Sequence, residues 1–171
     1  MKYFIGIDPS LSGLAYVCLD ENKNVYDYFT MTSLKNVKND FEISLFKLND
    51  INRLIFIVDN IINRLNNLGD NEIYIGLEGY SYGSSSRSVT GMAELSGYIK
   101  IMLYKNKYNY SIVPPSVAKK FISGKGNANK DLVKTSCLHL KMEIPWNKES
   151  YKRYDLYDAL SIALYIYDKN K

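Results

Sequence analysis

The sequence predicts an α/β domain in which a mixed sheet of five strands, the first three antiparallel, is flanked by helices. Three observations predict it. Strand-like runs joined by turn signals fill residues 2–30. From Phe41 onward, apolar residues recur at three- or four-residue steps, the period of a helix. Thereafter strand-like and helix-like segments alternate, the pattern of a sheet covered on both faces, and helical crossovers make the later strand pairings parallel.

Each element has its own signal. Residues 2–8, KYFIGID, read as a short buried strand ending at Asp8, and Asp8-Pro9-Ser10 with Ser12-Gly13 reads as a turn. Leu14 to Leu19 is the second strand, residues 20–24 are a polar hairpin loop, and Val25 to Thr30 is the third strand. Residues 31–40 read as a loop. The apolar positions 41, 45, 48, 51, 55, 58, 62 and 65 predict one amphipathic helix from Phe41 to near Gly69, its expected C′ glycine. EIYIGL at 72–77 is the fourth strand, with Glu78 at its C-terminal end, and GYSYGSSSR at 79–87 is a flexible loop. Ser88 is the expected N-cap of a helix that gathers Val89, Met92, Leu95, Ile99 and Met102 on one face. Tyr110 to Val113 is the fifth strand, stopped by Pro114-Pro115. A short helix over 116–122 is broken by Gly124-Lys125-Gly126-Asn127, Asn129 caps a further helix through His139, and a last helix runs from about Glu149 to Tyr167.

The chain of 171 residues, 46% hydrophobic and 23% charged, suits a single domain over 1–171. A net charge of +4 permits a polyanionic partner without demanding one. Two cysteines, Cys18 and Cys137, are too few for a disulfide framework and form no C-x-x-C pair, so a reduced, cytoplasmic chain is expected. The single His139 excludes any site needing several histidines, and it and Trp146 are expected to pack in or near the core. The apolar run Tyr3-Phe4-Ile5 is too short for a secretory signal, and no run approaches the length of a membrane span.

Four carboxylates stand out by position. Asp8 ends the first strand and Glu78 ends the fourth, while Asp155 and Asp158, three apart, share one face of the last helix. Strand ends of an open sheet are where ligands bind in such folds. Taken singly, each has an ordinary explanation: a turn residue after a strand, or a solvated helix face. The apolar run 159–164 directly after Asp158 makes the helix pair less ordinary. Four carboxylates brought together repel one another and stay ionised only with cations present, and an all-oxygen site suits Mg²⁺ or Mn²⁺. Two such ions roughly 3.5–4 Å apart can clamp the attacking and leaving oxygens of a phosphodiester displacement.

Ile5-Gly6-Ile7-Asp8-Pro9-Ser10-Leu11-Ser12-Gly13 resembles the opening motif of the RuvC-type Holliday junction resolvases. Leu77-Glu78-Gly79-Tyr80 resembles that family's second acidic motif, and Asp155-Leu156-Tyr157-Asp158-Ala159-Leu160 its C-terminal D-x-x-D-A-L motif. Residues 115–130, from Pro115 to Lys130, are similar to its basic segment, in which glycines lie between two functional lysines, matched here by Lys119 and Lys130. The resemblance spans nearly the whole chain, with the motifs in order. It implies a ribonuclease-H-like fold, a homodimer, two Mg²⁺ ions per site (Mn²⁺ substituting) and paired nicks in branched DNA. Catalytic and metal-binding roles then pass to Asp8, Glu78, Asp155 and Asp158, with Lys119 and Lys130 neutralising charge on the phosphate. The loop after Glu78 departs from the family. A hydrophobic wedge is usual there, whereas this chain has Tyr80 and Tyr82 followed by GSSSR. The form of the basic segment and the abundance of Tyr, Asn, Lys and Ile suggest a phage or mobile-element protein acting in a host bacterial cytoplasm.

Lys119, Lys120, Lys125 and Lys130 can approach phosphates closely because glycines flank them. Arg87 is a further candidate phosphate contact, and Tyr80 and Tyr82 can stack on unpaired bases. Three other functions fit parts of the same pattern. An ATP-binding domain of the actin and sugar-kinase type opens similarly, but it needs two such domains and has no use for D-x-x-D on its last helix. A non-catalytic junction-binding protein has no reason to keep four carboxylates. A nuclease of this fold acting on flaps, other branched DNA or RNA–DNA hybrids shares the metal site, and the lysine-glycine segment favours the junction resolvase over it.

Overall fold

The computed structural model describes residues 1–10, 13–33, 35, 42–45, 48–79, 86–142, 144–146 and 153–171, with the side chains of 86–89 and 153 left aside. Six strands form one mixed sheet: β1 (Lys2–Ser10), β2 (Gly13–Leu19), β3 (Val25–Thr32), β4 (Glu42–Ser44), β5 (Glu72–Glu78) and β6 (Tyr110–Val113), in the order β4-β3-β2-β1-β5-β6. The first three pair antiparallel as a meander. β1/β5, β5/β6 and β3/β4 pair parallel. Five helices complete the fold: α1 (Asp50–Asn66), α2 (Ser86–Lys105), α3 (Pro115–Ser123), α4 (Lys130–His139) and α5 (Arg153–Asn170).

The strand period of two divides the core. Tyr3, Ile5 and Ile7 of β1 pack with Ile57, Ile61 and Leu65 of α1 and Leu95, Ile99 and Leu103 of α2. Phe4 of β1 and Ala15 and Val17 of β2 pack on the other side with Ala159, Leu160 and Ala163 of α5, and Val133 and Cys137 of α4 join them. Phe4, Gly6 and Asp8 therefore share the α5 face of β1, as Tyr74, Gly76 and Glu78 share that face of β5. Phe4 and Tyr74 are register partners and stack at 5.3 Å. Gly6 and Gly76 are partners one step further along.

That glycine pair sets how closely α5 can lie. A Cβ on Gly6 would stand 1.9 Å from the Ala159 carbonyl oxygen, and one on Gly76 would stand 2.6 Å from a methyl of Ile162. With no side chain at either position, α5 rests directly on the sheet, and its first turns lie over the ends of β1 and β5.

The structure corrects the sequence reading in several places. β1 runs on through Ser10, so Asp8-Pro9-Ser10 is strand and not turn. The sheet has a sixth strand, β4, where a helix was expected to begin. Phe41 lies outside the described residues, and Leu45 and Leu48 do not continue the helical stripe. Ile43 lies in β4, Leu45 is buried with its N–H bonded to the Thr32 carbonyl at 2.7 Å, and the helix starts only where the Asn49 side chain accepts from the Asn52 N–H at 2.9 Å. The inner face of α1 is turned accordingly: Ile51 and Ile55 are exposed, while Ile57, Val58, Ile61, Ile62 and Leu65 are buried. Ser88 is not an N-cap, because α2 already begins at Ser86. His139 is not a core residue: it is the last residue of α4 and is exposed, whereas Trp146 is buried as expected and packs on Tyr28 at 4.8 Å. Gly69 has the positive φ foreseen for it, +64°, but two residues beyond the Asn67 cap position of the helix's end. Asn129 caps α4 as expected, accepting from the Leu132 N–H at 2.9 Å.

Candidate active site

At the C-terminal ends of β1 and β5, beneath the first turns of α5, lies an open cleft of about 420 Å³. Asp8, Glu78, Asp155 and Asp158 all line it, and so do Lys119 and Lys130. The strand period brings the first two onto the α5 face, and the helical period brings the second two over them. Asp8, Asp155 and Asp158 each present a carboxylate oxygen within 4.8 Å of the others, and Glu78 shares a hydrogen bond with Asp8.

Crowding shows in the proton affinities. Burial, and then the charge of Glu78, hold the Asp8 carboxyl well above its usual range, with Asp158 and Asp155 adding to the effect. Burial raises Glu78 as well, against the hydrogen bond from Asp8 and the charges of Lys119 and Lys130. Asp158 is pushed up to about 6, mainly by burial, with Lys130 and Lys119 opposing and Glu78 and Asp155 assisting. Without a cation, the cluster keeps protons that isolated carboxyls would release. Hard oxygen donors, half-buried, mutually repelling and converging on one point, fit a hard divalent cation.

Lys130, the first residue of α4, places its Nζ 2.8 Å from Asp155 Oδ1. Burial works against its charge, but the bond to Asp155 outweighs it and raises its pKa overall. Lys119, in α3, is half-buried at the cleft wall. Lys120 and Lys125 are exposed and do not line the cleft. The Gly124 N–H bonds to the Lys120 carbonyl at 2.8 Å with φ +76°, the left-handed turn that ends α3 and leads round to α4. Tyr80 and Tyr82 lie outside the described residues, as does the side chain of Arg87. Sequence reasoning passed over Ser10, which also lines the cleft. It stands two residues beyond Asp8 on the same strand, where the sequence locally reads as a turn. Cys18 and Cys137 are free, buried, and pushed up by burial to about 12, which makes them inert packing groups.

A family model described as crossover junction endodeoxyribonuclease RuvC matches residues 4–165. The chain belongs to this family. A RuvC of Brachyspira hyodysenteriae is 25% identical over 173 residues, covering 98% of this chain and 94% of its own. Among solved structures, Thermus thermophilus RuvC superposes with a TM-score of 0.71 at 17% identity, over 98% of this chain and 95% of that one. T. thermophilus RuvC in complex with a Holliday junction substrate gives 0.67 at 14% identity, over 99% and 96%. The fold is the ribonuclease-H-like fold of RuvC. Its membership makes the chain a divalent-metal-dependent endodeoxyribonuclease of crossover junctions. Among the described residues, no helix is long and apolar enough to cross a membrane.

Proposed function

We propose that this chain resolves four-way DNA junctions by paired nicks, acting in the cytoplasm as a homodimer with two Mg²⁺ ions at each site, Mn²⁺ substituting. The observation that carries this reading is the cleft itself, where four carboxylates from β1, β5 and α5 meet two lysines from α3 and α4. Asp8, which feels the charge of the three other carboxylates, would be one of the residues holding the ions. Glu78, Asp155 and Asp158 surround it. Divalent cations held there would acidify water and neutralise charge on the scissile phosphate. The chain's own part is to fix those ligands before substrate arrives, and to hold two ammonium groups where negative charge grows during displacement. Lys119 and Lys130 have that place. Lys120 and Lys125 serve as outer phosphate contacts along the approach, with Arg87 and the tyrosines Tyr80 and Tyr82 addressing the DNA beyond.

Two features support a dimer. Ile101 and Tyr104 of α2 are 53% and 82% exposed, an apolar pair on a helix whose other side is already committed to the core. A two-fold dimer also presents two sites to a substrate that has two-fold symmetry. The decisive assay compares four-way, flap, duplex and RNA–DNA hybrid substrates of matched sequence in Mg²⁺. Symmetric nicks confined to the four-way substrate are expected. Equal cutting of flaps or hybrids overturns the junction assignment, and light scattering that shows a monomer with and without DNA overturns the dimer.

A further inference from the structure

Two adjacent residues of α4 meet two adjacent residues of α5 in crossed order. Lys130 reaches Asp155 at 2.8 Å, and the Tyr154 hydroxyl donates to Asp131 Oδ1 at 2.6 Å. Lys134, one turn along α4, lies 5.6 Å from the centre of the Tyr154 ring. Tyr154 is thus gripped at its ring and at its hydroxyl by the helix that also carries the cleft lysine. From this geometry we infer that the Asp131–Tyr154 pair is a positioning device that fixes the first turn of α5, and with it the metal ligand Asp155. The inference rests on the metal site proposed above.

The two aspartates of α5 differ in how they are held. Asp158 lies between fully buried neighbours, Leu156, Tyr157, Ala159 and Leu160, so the core fixes its backbone. Asp155 lies in the first turn, where a helix opens locally more readily than in its packed middle. Its neighbour Tyr154 is only half-buried. A metal ligand must be held to within about 0.5 Å of its working geometry. An exposed hydrogen bond contributes little to global stability, but at this place it restrains the one ligand that core packing does not.

The test uses the full chain and four variants: Tyr154→Phe, Asp131→Ala, the double variant and Asp155→Asn. Mn²⁺ binding is read by calorimetry, and the Mn²⁺ concentration for half-maximal cutting is read separately from the rate at saturating metal. Tyr154→Phe and Asp131→Ala are each expected to weaken Mn²⁺ binding about tenfold, the lower end for partners that orient metal ligands. The rate should recover at saturating metal, and the melting temperature should hold. The double variant should bind no more weakly than the weaker single one, because both changes break the same hydrogen bond. Wild-type binding by both single variants, with Asp155→Asn weakened, overturns the positioning role alone. Wild-type binding by Asp155→Asn overturns the metal site and the positioning role together. A lower melting temperature with unchanged Mn²⁺ binding makes the pair a structural tie and also overturns it.

Discussion

The Lys130 ammonium and the Asp155 carboxylate form an ion pair 2.8 Å long at the lip of the cleft, the lysine side chain 57% exposed and the aspartate 24%. The cation's main effect is therefore on its neighbours rather than on stability. It draws down the proton affinity of Asp158 and Glu78, and it stands where a phosphate would enter. Lys130→Ala and Lys119→Ala are expected to lower the cleavage rate by about 10² or more, in the range of losing one donor that stabilises developing charge. Affinity for a junction in Ca²⁺ should fall much less. The slope of log affinity against log salt should flatten by roughly 0.9 for each phosphate that is no longer neutralised. A variant that changes neither slope nor rate would reduce its lysine to solvated surface.

Asp8 is the residue on which the other carboxylates converge, so its charge is the most costly one in the metal-free fold. Asp8→Asn should abolish cutting by several orders of magnitude while keeping the fold. In EDTA it should melt later than the wild type, because a repelling, buried carboxyl has been neutralised. Near-wild-type cleavage by this variant is the outcome that would sink the metal-centred mechanism.

The raised carboxyls make stability depend on pH. Asp158 moves from an ordinary 3.8 to about 6 in the fold. A carboxyl that holds its proton more tightly when folded stabilises the protein fully below about pH 4, and that contribution is lost as pH rises through 6. The difference in stability between wild type and Asp158→Asn in EDTA should therefore drift against the wild type between pH 4 and 7, by on the order of 2 kcal/mol. Saturating Mg²⁺ should reverse the drift, since metal binding requires the deprotonated form. Parallel melting curves for the two proteins across this range would refute the burial of Asp158.

The glycine pair under α5 gives an unequal prediction. A methyl at Gly6 meets the Ala159 backbone oxygen and the Ala163 backbone nitrogen, which can move only if the helix moves. A methyl at Gly76 meets the side chains of Ile162 and Ile166, which can turn aside. Gly6→Ala should cost about 3 kcal/mol or more and Gly76→Ala about 1–2 kcal/mol. Only Gly6→Ala should also weaken Mn²⁺ binding, because it lifts Asp155 and Asp158 away from Asp8. Equal costs in chemical denaturation would show that α5 does not depend on its close approach at Gly6.

Much of this was legible in the sequence because the relevant signals are local. The strands of the meander, the Asn129 cap and the glycine break after α3 each follow from a few neighbouring residues. The four carboxylates could be placed at strand and helix ends by counting. The short strand β4 could not, because three residues carry no period of their own, and the apolar residues beside it happened to extend the spacing of α1. Asn49 was the missed start signal. Ser10 needed the strand to continue past Asp8-Pro9, which reads locally as a turn. Asp131 and Tyr154 lie 23 positions apart on different helices, and neither residue type draws notice alone. Their meeting exists only once α4 and α5 have docked.

α5, the last element in chain order, has a bearing on when this protein becomes able to cut. A growing chain that has emerged through α4 already displays Asp8, Glu78 and both cleft lysines. Asp155 and Asp158 reach them only when α5 settles onto Gly6 and Gly76. Until that moment the nascent protein lacks two of the four carboxylates proposed to hold the metal. Docking of α5 is thus also an arming step: a chain cut short before α5 lacks Asp155 and Asp158 and is expected not to nick the genome of the cell that makes it.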